Sequence, residues 1–250
     1  MKPLLLLTND DGISAPGMKA LIDTVRPLGE VIVFAPDGNR SGKAHSMTSD
    51  VPLRVRLIER QPDFAAYACS GMPVDCIKLA LNRFVPRRPD LVISGINYGS
   101  NASVCSLYSG TIGAAMEATQ GGLTAVAYSL NLTGHKADFA PTLPFVKSMT
   151  EEVLRNGLPP HVMLNVNFPD TTQIKGVRVC RSSRAYWSDE AEERKDPFGH
   201  KYYWLIGHFH CDDLAEDTDQ WALLNGFVSV VPCKPDYTDH GSINLIKDRF

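Results

Sequence analysis

The first half of the chain alternates short apolar runs with segments in which apolar residues recur every three or four positions. The runs are typical of buried strands, and the segments between them are typical of helices packed on one face. The predicted strands are KPLLLLT, EVIVFAP, FAAYACSG, DLVISG and LTAVAYSL, and the predicted helices are APGMKALIDTVRPLG, PVDCIKLALNRF and GTIGAAMEAT. Continuous apolar strands alternating with helices predict an α/β fold with a doubly wound, mostly parallel sheet covered on both faces.

Two later parts of the pattern differ from this alternation. PLRVRLIE alternates apolar and basic residues, which predicts a half-exposed strand in a hairpin outside the main sheet. After a core of about residues 1–170, the strand-like runs GVRVCR, KYYWLIG and GFVSVVP flank the charged, irregular segment SSRAYWSDEAEERKDPFGH. We therefore predict a C-terminal antiparallel extension over about residues 171–250, with an arm that mediates oligomer contacts.

Composition narrows the classes of partner. The 250 residues carry a net charge of −3 and no basic excess, which argues against a surface for a nucleic-acid duplex. Apolar runs are shorter than the roughly 18 residues of a membrane helix, and the N-terminus is unlike a signal peptide. The six cysteines are scattered, without zinc-type pairs, so we expect reduced thiols in a cytoplasmic protein that does not bind membranes.

Oxygen-bearing side chains follow three of the predicted strands, at residues 9–12, 37–42 and 97–101. In a doubly wound sheet these positions meet at the rim where ligands bind. Carboxylates, amides and hydroxyls are the ligands of hard divalent cations such as Mg²⁺ or Mn²⁺, whereas zinc favours His or Cys. A cation would also offset the repulsion between the adjacent Asp10 and Asp11. The alternative is that NDDG and the glycine-rich loops are ordinary turns.

The segment YSGTIGAAMEAT predicts a helix that begins with small residues. Its free backbone N–H groups are suited to an anion, so we expect a phosphate on Ser109, Gly110 and Thr111, with Asn9 and Asn101 also on the phosphate-binding side. The alternatives are a simple N-cap at this helix and a loop-shaping role for Asn101. A cation beside a phosphate site favours hydrolysis of a phosphate ester.

Several motifs in order resemble one known family. They are TNDDGISAPG at 8–17, APDGNRSG at 35–42, SGINYGSN at 94–101, YSGTIGAAME at 108–117, LNVNFP at 164–169 and DPFGHKYYW at 196–204. Together they resemble the SurE family of survival-protein nucleotidases, and the likeness spans nearly the whole chain.

The resemblance implies a single SurE-like domain over residues 1–250, with a Rossmann-like catalytic core and a C-terminal part exchanged between subunits of a homodimer or homotetramer. It also implies a divalent-metal-dependent phosphatase that hydrolyses nucleoside monophosphates to nucleoside and phosphate, by attack of metal-activated water on phosphorus. Such an enzyme is a 5′-nucleotidase, and 3′-nucleotidase activity is left open. The two aspartates would be catalytic, and the implied metal ligands are Asp10, Asp11, Ser41 and Asn97.

Other residues leave alternatives open. Gly38, Lys43, His45 and Met72 depart from the family pattern, and Lys43 and His45 place charge near the site, which bears on substrate preference. His45 is either a general acid or an ordinary surface residue. The run HFHCDD at 208–213 contains candidate zinc ligands, but a solvated polar turn is favoured.

The second class of function is a metal-free nucleotide-binding module. The chain lacks both GxGxxG after its first strand and GxxxxGK[ST], and such a module would not need adjacent aspartates. Hydrolysis of a chromogenic phosphate ester with and without EDTA distinguishes the two classes.

Overall fold

The computed structural model describes residues 2–132 and 137–249. The strands are β1 (Leu4–Thr8), β2 (Glu30–Pro36), β3 (Val55–Gln61), β4 (Phe64–Cys69), β5 (Leu91–Tyr98), β6 (Ala125–Asn131), β7 (Met163–Pro169), β8 (Val177–Val179), β9 (Ala185–Ser188), β10 (Ala191–Lys195), β11 (Lys201–Leu205), β12 (His208–Cys211) and β13 (Val228–Cys233). The helices are α1 (Pro16–Val25), α2 (Pro73–Leu79), α3 (Gly110–Gln120), α4 (Leu143–Asn156), α5 (Asp219–Leu224) and α6 (His240–Ile246).

A nine-stranded sheet forms the centre of the molecule, in the order β3-β4-β2-β1-β5-β6-β7-β13-β8. Its neighbouring strands are parallel except for the pairs β3–β4 and β7–β13. The predicted mostly parallel α/β sheet is therefore confirmed. The strand order reverses at β1, whose neighbours are β2 and β5, and a crevice at the carboxyl ends of the strands is expected there.

The four leucines at the start of the chain show why the sheet is covered on both faces. Leu5 and Leu7 pack on one face against Leu21 of α1 and residues of α4. Leu4 and Leu6 pack on the other face with apolar residues of α2 and α3. All four leucines are at most 1% exposed, so the run has no polar alternation because both faces of β1 are buried.

The hairpin prediction for PLRVRLIE needs a correction. β3 does form an exposed antiparallel hairpin with β4, but β4 also pairs in parallel with β2, in register from Val31 with Phe64 to Pro36 with Cys69. The hairpin is therefore the edge of the main sheet rather than a separate unit. β3 is also more exposed than the half-exposed strand that the alternating pattern predicted, since six of its seven residues are exposed. The pattern could not indicate that β4 pairs with β2.

The C-terminal part contains the predicted antiparallel strands, with two differences from expectation. β10 pairs with β11 and β12 pairs with β9, as two antiparallel pairs outside the sheet, so the segment expected to be irregular contains β9 and β10. β8 and β13 return to the central sheet instead of joining the arm. Below, "the arm" means residues 185–211.

No helix in the described ranges combines the length and the apolar character that crossing a bilayer requires. The longest described helix, α4, has 14 residues. All six cysteines are free thiols.

Candidate functional site

The loops after β1, β2 and β5 meet at one edge of the sheet, as the sequence predicts. The backbone N–H of Arg40, after β2, donates to the carbonyl of Asp10, after β1, at 2.7 Å. The backbone N–H of Tyr98, at the end of β5, donates to Oδ2 of Asp11 at 3.0 Å. These bonds fix the three loops relative to one another and bring the oxygen-bearing side chains of the three motifs to one rim.

Asp10 is almost fully buried against the start of α3. Its side chain is 3% exposed, and the Thr111 hydroxyl donates a hydrogen bond to its Oδ1. Burial raises the pKa of this carboxyl above its ordinary value, and hydrogen bonds from the Thr111 hydroxyl and from the backbone of Thr111 and Gly110 oppose that rise. The N-terminus of α3 therefore faces the Asp10 carboxylate, which is a stabilising arrangement for an anion.

Asp11 is half-buried beside it. The pKa of the Asp11 carboxyl is raised to about 6, mainly by burial and to a smaller extent by the negative charge of Asp10, while the hydrogen bond from the Tyr98 backbone opposes the rise. Among the ion pairs of the described residues, none joins a lysine, arginine or histidine to Asp10 or Asp11. Two desolvated, adjacent carboxylates without a cationic partner are costly, and a bound divalent cation removes that cost.

Asn97 reaches the rim because β5 bulges just before it. The register between β5 and β6 shifts between Ser94 and Asn97, and the intervening Gly95 has a φ of +131°. A Cβ at Gly95 would lie 2.3 Å from the carbonyl oxygen of Tyr128, so this close approach requires glycine. The amide nitrogen of Asn97 donates to the Gly99 carbonyl at 2.9 Å, which leaves its Oδ1 available as a ligand.

The donor set fits a hard divalent cation. The predicted ligands supply two carboxylates, an amide oxygen and the hydroxyl of the exposed Ser41, and Asp10, Ser41 and Asn97 line one cavity. Oxygen donors of this kind suit Mg²⁺ or Mn²⁺. In the described part of the chain, no three His, Cys, Asp or Glu side chains form a group that could hold a metal ion, so no zinc-type cluster competes with this site.

The predicted phosphate loop has a different geometry from the one expected. Ser109 caps α3 by accepting a hydrogen bond from the Ile112 backbone at 3.1 Å, and it lines the cavity. Thr111 is fully buried with its hydroxyl committed to Asp10. A Cβ at Gly110 would lie 2.9 Å from Cβ of Asp10. Gly110 and Thr111 therefore support the Asp10 carboxylate, and of the three loop residues only Ser109 lines the cavity.

The two asparagines assigned to phosphate both shape loops. Asn9 is fully buried and exchanges hydrogen bonds with the backbone of Gly12, at 3.0 and 3.2 Å, which closes the turn that carries the aspartates. Asn101 is held by Asn165, Asn167 and Ser129 through bonds of 2.8–2.9 Å. Asn101 also lines the cavity, so its phosphate-binding role stays a prediction alongside the loop role.

His45 lines a different cavity from Asp10. Its Nε2 is 3.3 Å from the Ser106 carbonyl oxygen and its Nδ1 is 3.4 Å from the Tyr237 hydroxyl, in a second depression behind α3. Lys43 is exposed and does not line the main cavity. This placement favours the reading of His45 as an ordinary side chain over that of a general acid.

The run HFHCDD forms a strand end rather than a solvated turn. His210 stacks on Tyr186 and its Nε2 lies 2.8 Å from the Ser188 hydroxyl. Asp213 accepts two hydrogen bonds from the Arg181 guanidinium, which hold the pKa of Asp213 well below its usual range. His210 therefore contacts β9, and Asp213 links the end of the arm to Arg181.

The cavity has a volume of about 700 Å³, within the range of small-molecule sites. Sequence reasoning missed the part of its lining that comes from the loop after β5 and from the arm: Cys105, Tyr108, Trp187, Glu190, Leu205, Ile206 and Gly207. The signal that could have found some of them was the pair of aromatic residues in SSRAYW, within an otherwise charged segment.

Comparison with known proteins identifies the family of the chain. The family model described as "Survival protein SurE" matches residues 5–189. The chain is 50% identical to the 5′-nucleotidase SurE of Flavobacterium johnsoniae, over 98% of this chain and 96% of that one, and 47% identical to the 5′-nucleotidase SurE of Phocaeicola vulgatus, over 99% and 96%. A crystal structure of a SurE protein from Aquifex aeolicus superimposes with a TM-score of 0.84 at 35% identity, covering 99% of each chain. The chain therefore belongs to the SurE family.

Proposed function

We propose that the protein is a divalent-metal-dependent phosphatase that hydrolyses nucleoside 5′-monophosphates to nucleoside and phosphate. The observation that carries the proposal is the adjacent pair of the buried Asp10 and the half-buried Asp11, to which no cationic side chain of the described residues is paired. Asp10 lines a cavity of about 700 Å³. The names of the relatives, 5′-nucleotidases, support the reaction and the substrate class. Action on 3′-monophosphates is a further part of the proposal.

The proposed roles combine the ligands that the family resemblance implies with the geometry of the rim. Asp10, Asp11, Ser41 and Asn97 would hold the cation, Mg²⁺ or Mn²⁺. When bound, the cation polarises the phosphoryl group and lowers the pKa of water. Thr111 holds the Asp10 carboxylate in place through its hydrogen bond, which also lowers the pKa of Asp10 against the rise that burial causes.

The substrate phosphoryl group would lie between the aspartates and the cavity wall. Ser109 and Asn101 line that wall and would donate hydrogen bonds to the phosphoryl oxygens. Water would form the new bond to phosphorus, the ester P–O bond would break, and the leaving oxygen would take up a proton to become the nucleoside hydroxyl.

A panel of nucleoside 5′- and 3′-monophosphates, assayed for phosphate release with Mg²⁺ and with Mn²⁺, tests the proposal. Phosphate release from the 5′-monophosphates supports it. Tight nucleotide binding without phosphate release under every metal would instead indicate a binding module.

A further inference from the structure

The cavity continues beyond the proposed metal and phosphate residues to a surface formed by the arm. This surface, called here the outer wall, consists of Trp187, Glu190 and residues 205–207. Trp187 is in β9, Glu190 lies between β9 and β10, and residues 205–207 end β11 and lead into β12. The loop after β5 contributes Cys105 and Tyr108 to the same lining, so the outer wall and the catalytic rim belong to one cavity.

Trp187 is held in place without being covered. Phe209 is its directly opposite partner in the β9–β12 pair, with ring centroids 5.5 Å apart in an edge-on arrangement. Trp187 and Cys105, in the loop after β5, line the same cavity, and the Trp187 side chain lowers the pKa of the Cys105 thiol against the rise that burial causes. The residue nonetheless remains 36% exposed. A fixed, accessible aromatic side chain in a cavity wall can stack on a ligand. Because the side chain is already ordered in the free protein, binding costs little further conformational entropy.

The charge of the cavity limits what can lie against this surface. Among the described residues that line it, the charged side chains are Asp10 and Glu190, both acidic, and neither Lys nor Arg is present. Glu190 would repel a second phosphate or a carboxylate at the outer wall. Leu205, Ile206 and Trp187 favour a flat, uncharged and largely apolar group there.

We propose that the outer wall binds the nucleobase of the substrate, with Trp187 as its stacking surface. This inference rests on the proposed function, because it takes the phosphate end of the substrate to lie at Asp10 and Asp11. A nucleobase is flat, aromatic and uncharged, and each base presents a π-face to an aromatic side chain. Recognition through stacking predicts that removing the base strongly lowers kcat/KM, whereas exchanging one base for another changes it less.

The first test compares adenosine 5′-monophosphate with ribose 5-phosphate, which has the same phosphate ester and no base, using the Mn²⁺-loaded enzyme. We expect kcat/KM for the nucleotide to be about tenfold or more higher than for ribose 5-phosphate, mainly because its KM is lower. Equal kcat/KM for the two substrates would overturn the inference and leave the proposed function intact. Hydrolysis of neither substrate would overturn the proposed function itself.

The second test assigns the preference to Trp187. Trp187→Leu should reduce the ratio of the two kcat/KM values severalfold or more, and Trp187→Phe should retain most of it because a ring is kept. Trp221→Leu is the matched control, since Trp221 stacks on Phe227 and does not line the cavity, and it should leave the ratio unchanged. An unchanged ratio in folded Trp187→Leu would contradict the assignment.

A third measurement keeps the inference testable if Trp187→Leu does not fold. Adenosine, which has no phosphate, should inhibit hydrolysis of ribose 5-phosphate by the wild-type enzyme competitively. Ribose at the same concentration should inhibit far less. Equal inhibition by adenosine and ribose would show that the base is not bound and would overturn the inference.

Discussion

At the scale of single residues, the Asp10 carboxylate accepts a hydrogen bond from one neighbouring side chain, the hydroxyl of Thr111. Thr111, fully buried at the start of α3, donates to Oδ1 of Asp10, and Gly110 allows the helix to approach the carboxylate closely. Two of the three loop residues that the sequence assigns to phosphate, Gly110 and Thr111, thus contact a proposed metal ligand. The distinction matters because it moves the expected effect of substitutions from phosphate binding to metal binding.

Thr111→Val should weaken metal binding. The change keeps the shape of the side chain and removes the donor to Asp10, which costs about 1–3 kcal/mol when a buried charged acceptor loses its partner. Titration calorimetry with Mn²⁺ measures the affinity. Thr119→Val is the matched control, because Thr119 is equally buried on α3 and donates only to the Ala115 carbonyl. Equal Mn²⁺ affinity in Thr111→Val and wild type would contradict the positioning role.

Asp11→Asn should abolish turnover and leave the metal-free protein as stable as wild type or more stable. Burial and the charge of Asp10 raise the pKa of Asp11 to about 6. At neutral pH the ionised carboxylate therefore lowers the free energy of unfolding, and a neutral amide at this position does not. Thermal unfolding in EDTA at pH 7.5 gives the comparison. The exposed Asp50→Asn should change neither Tm nor turnover. A marked fall in Tm for Asp11→Asn would show that this carboxylate stabilises the fold.

At the scale of elements, one buried carboxylate fastens the loop after β5 to the C-terminal part of the chain. Asp219, 1% exposed at the start of α5, accepts hydrogen bonds from the backbone and hydroxyl groups of Ser103 and Ser183 at 2.8–3.0 Å. Ser103 precedes the segment that carries Ser109, and Ser183 precedes the strand that carries Trp187. Asp219 therefore couples both sides of the cavity.

Asp219→Ala should lower the free energy of unfolding by about 3 kcal/mol, because it leaves several buried donors without an acceptor. Urea denaturation followed by circular dichroism measures the change. Asp219→Asn should lose less, since the amide oxygen can still accept. The exposed Asp212→Ala provides the control, and a loss in Asp219→Ala no larger than in this control would contradict the bracing role.

The elements also show where sequence patterns succeed. β1 and α1 were predictable because an apolar run buried on both faces and a helix with one apolar face leave clear periodicities. β9 and β10 were not, since these strands pair outside the sheet, stay largely exposed and need no regular alternation. The shared location of Asp10, Ser41 and Asn97 was predictable because the carboxyl ends of parallel strands meet at one edge of the sheet. The contact between Thr111 and Asp10 joins residues 101 positions apart, and no local pattern records it.

At the scale of the whole molecule, the hairpin β10–β11 exposes several large apolar side chains to solvent. Phe198 is 85% exposed, Tyr203 59% and Trp204 55%. Apolar side chains gathered on one projection are unfavourable in water and mark an interaction surface. A homodimer or homotetramer, as the resemblance implies, remains the prediction for this surface.

Multi-angle light scattering at micromolar concentration should therefore give a mass of two or four times the 27.5 kDa chain. Replacing Trp204 and Phe198 with serine should shift the mass toward smaller species if the hairpin contributes to the contact. A wild-type mass of one chain across the concentration range would contradict the prediction of an oligomer.

Under the proposed function, Asp10 and Asp11 hold a divalent cation, and the phosphate ester is not hydrolysed without it. The most direct measurement is phosphate release from adenosine 5′-monophosphate by enzyme treated with EDTA, dialysed and assayed before and after addition of Mg²⁺ or Mn²⁺. We expect no turnover without metal, recovery with at least one of the two ions, and no recovery in Asp10→Asn. Full turnover by the metal-free wild-type enzyme would contradict it.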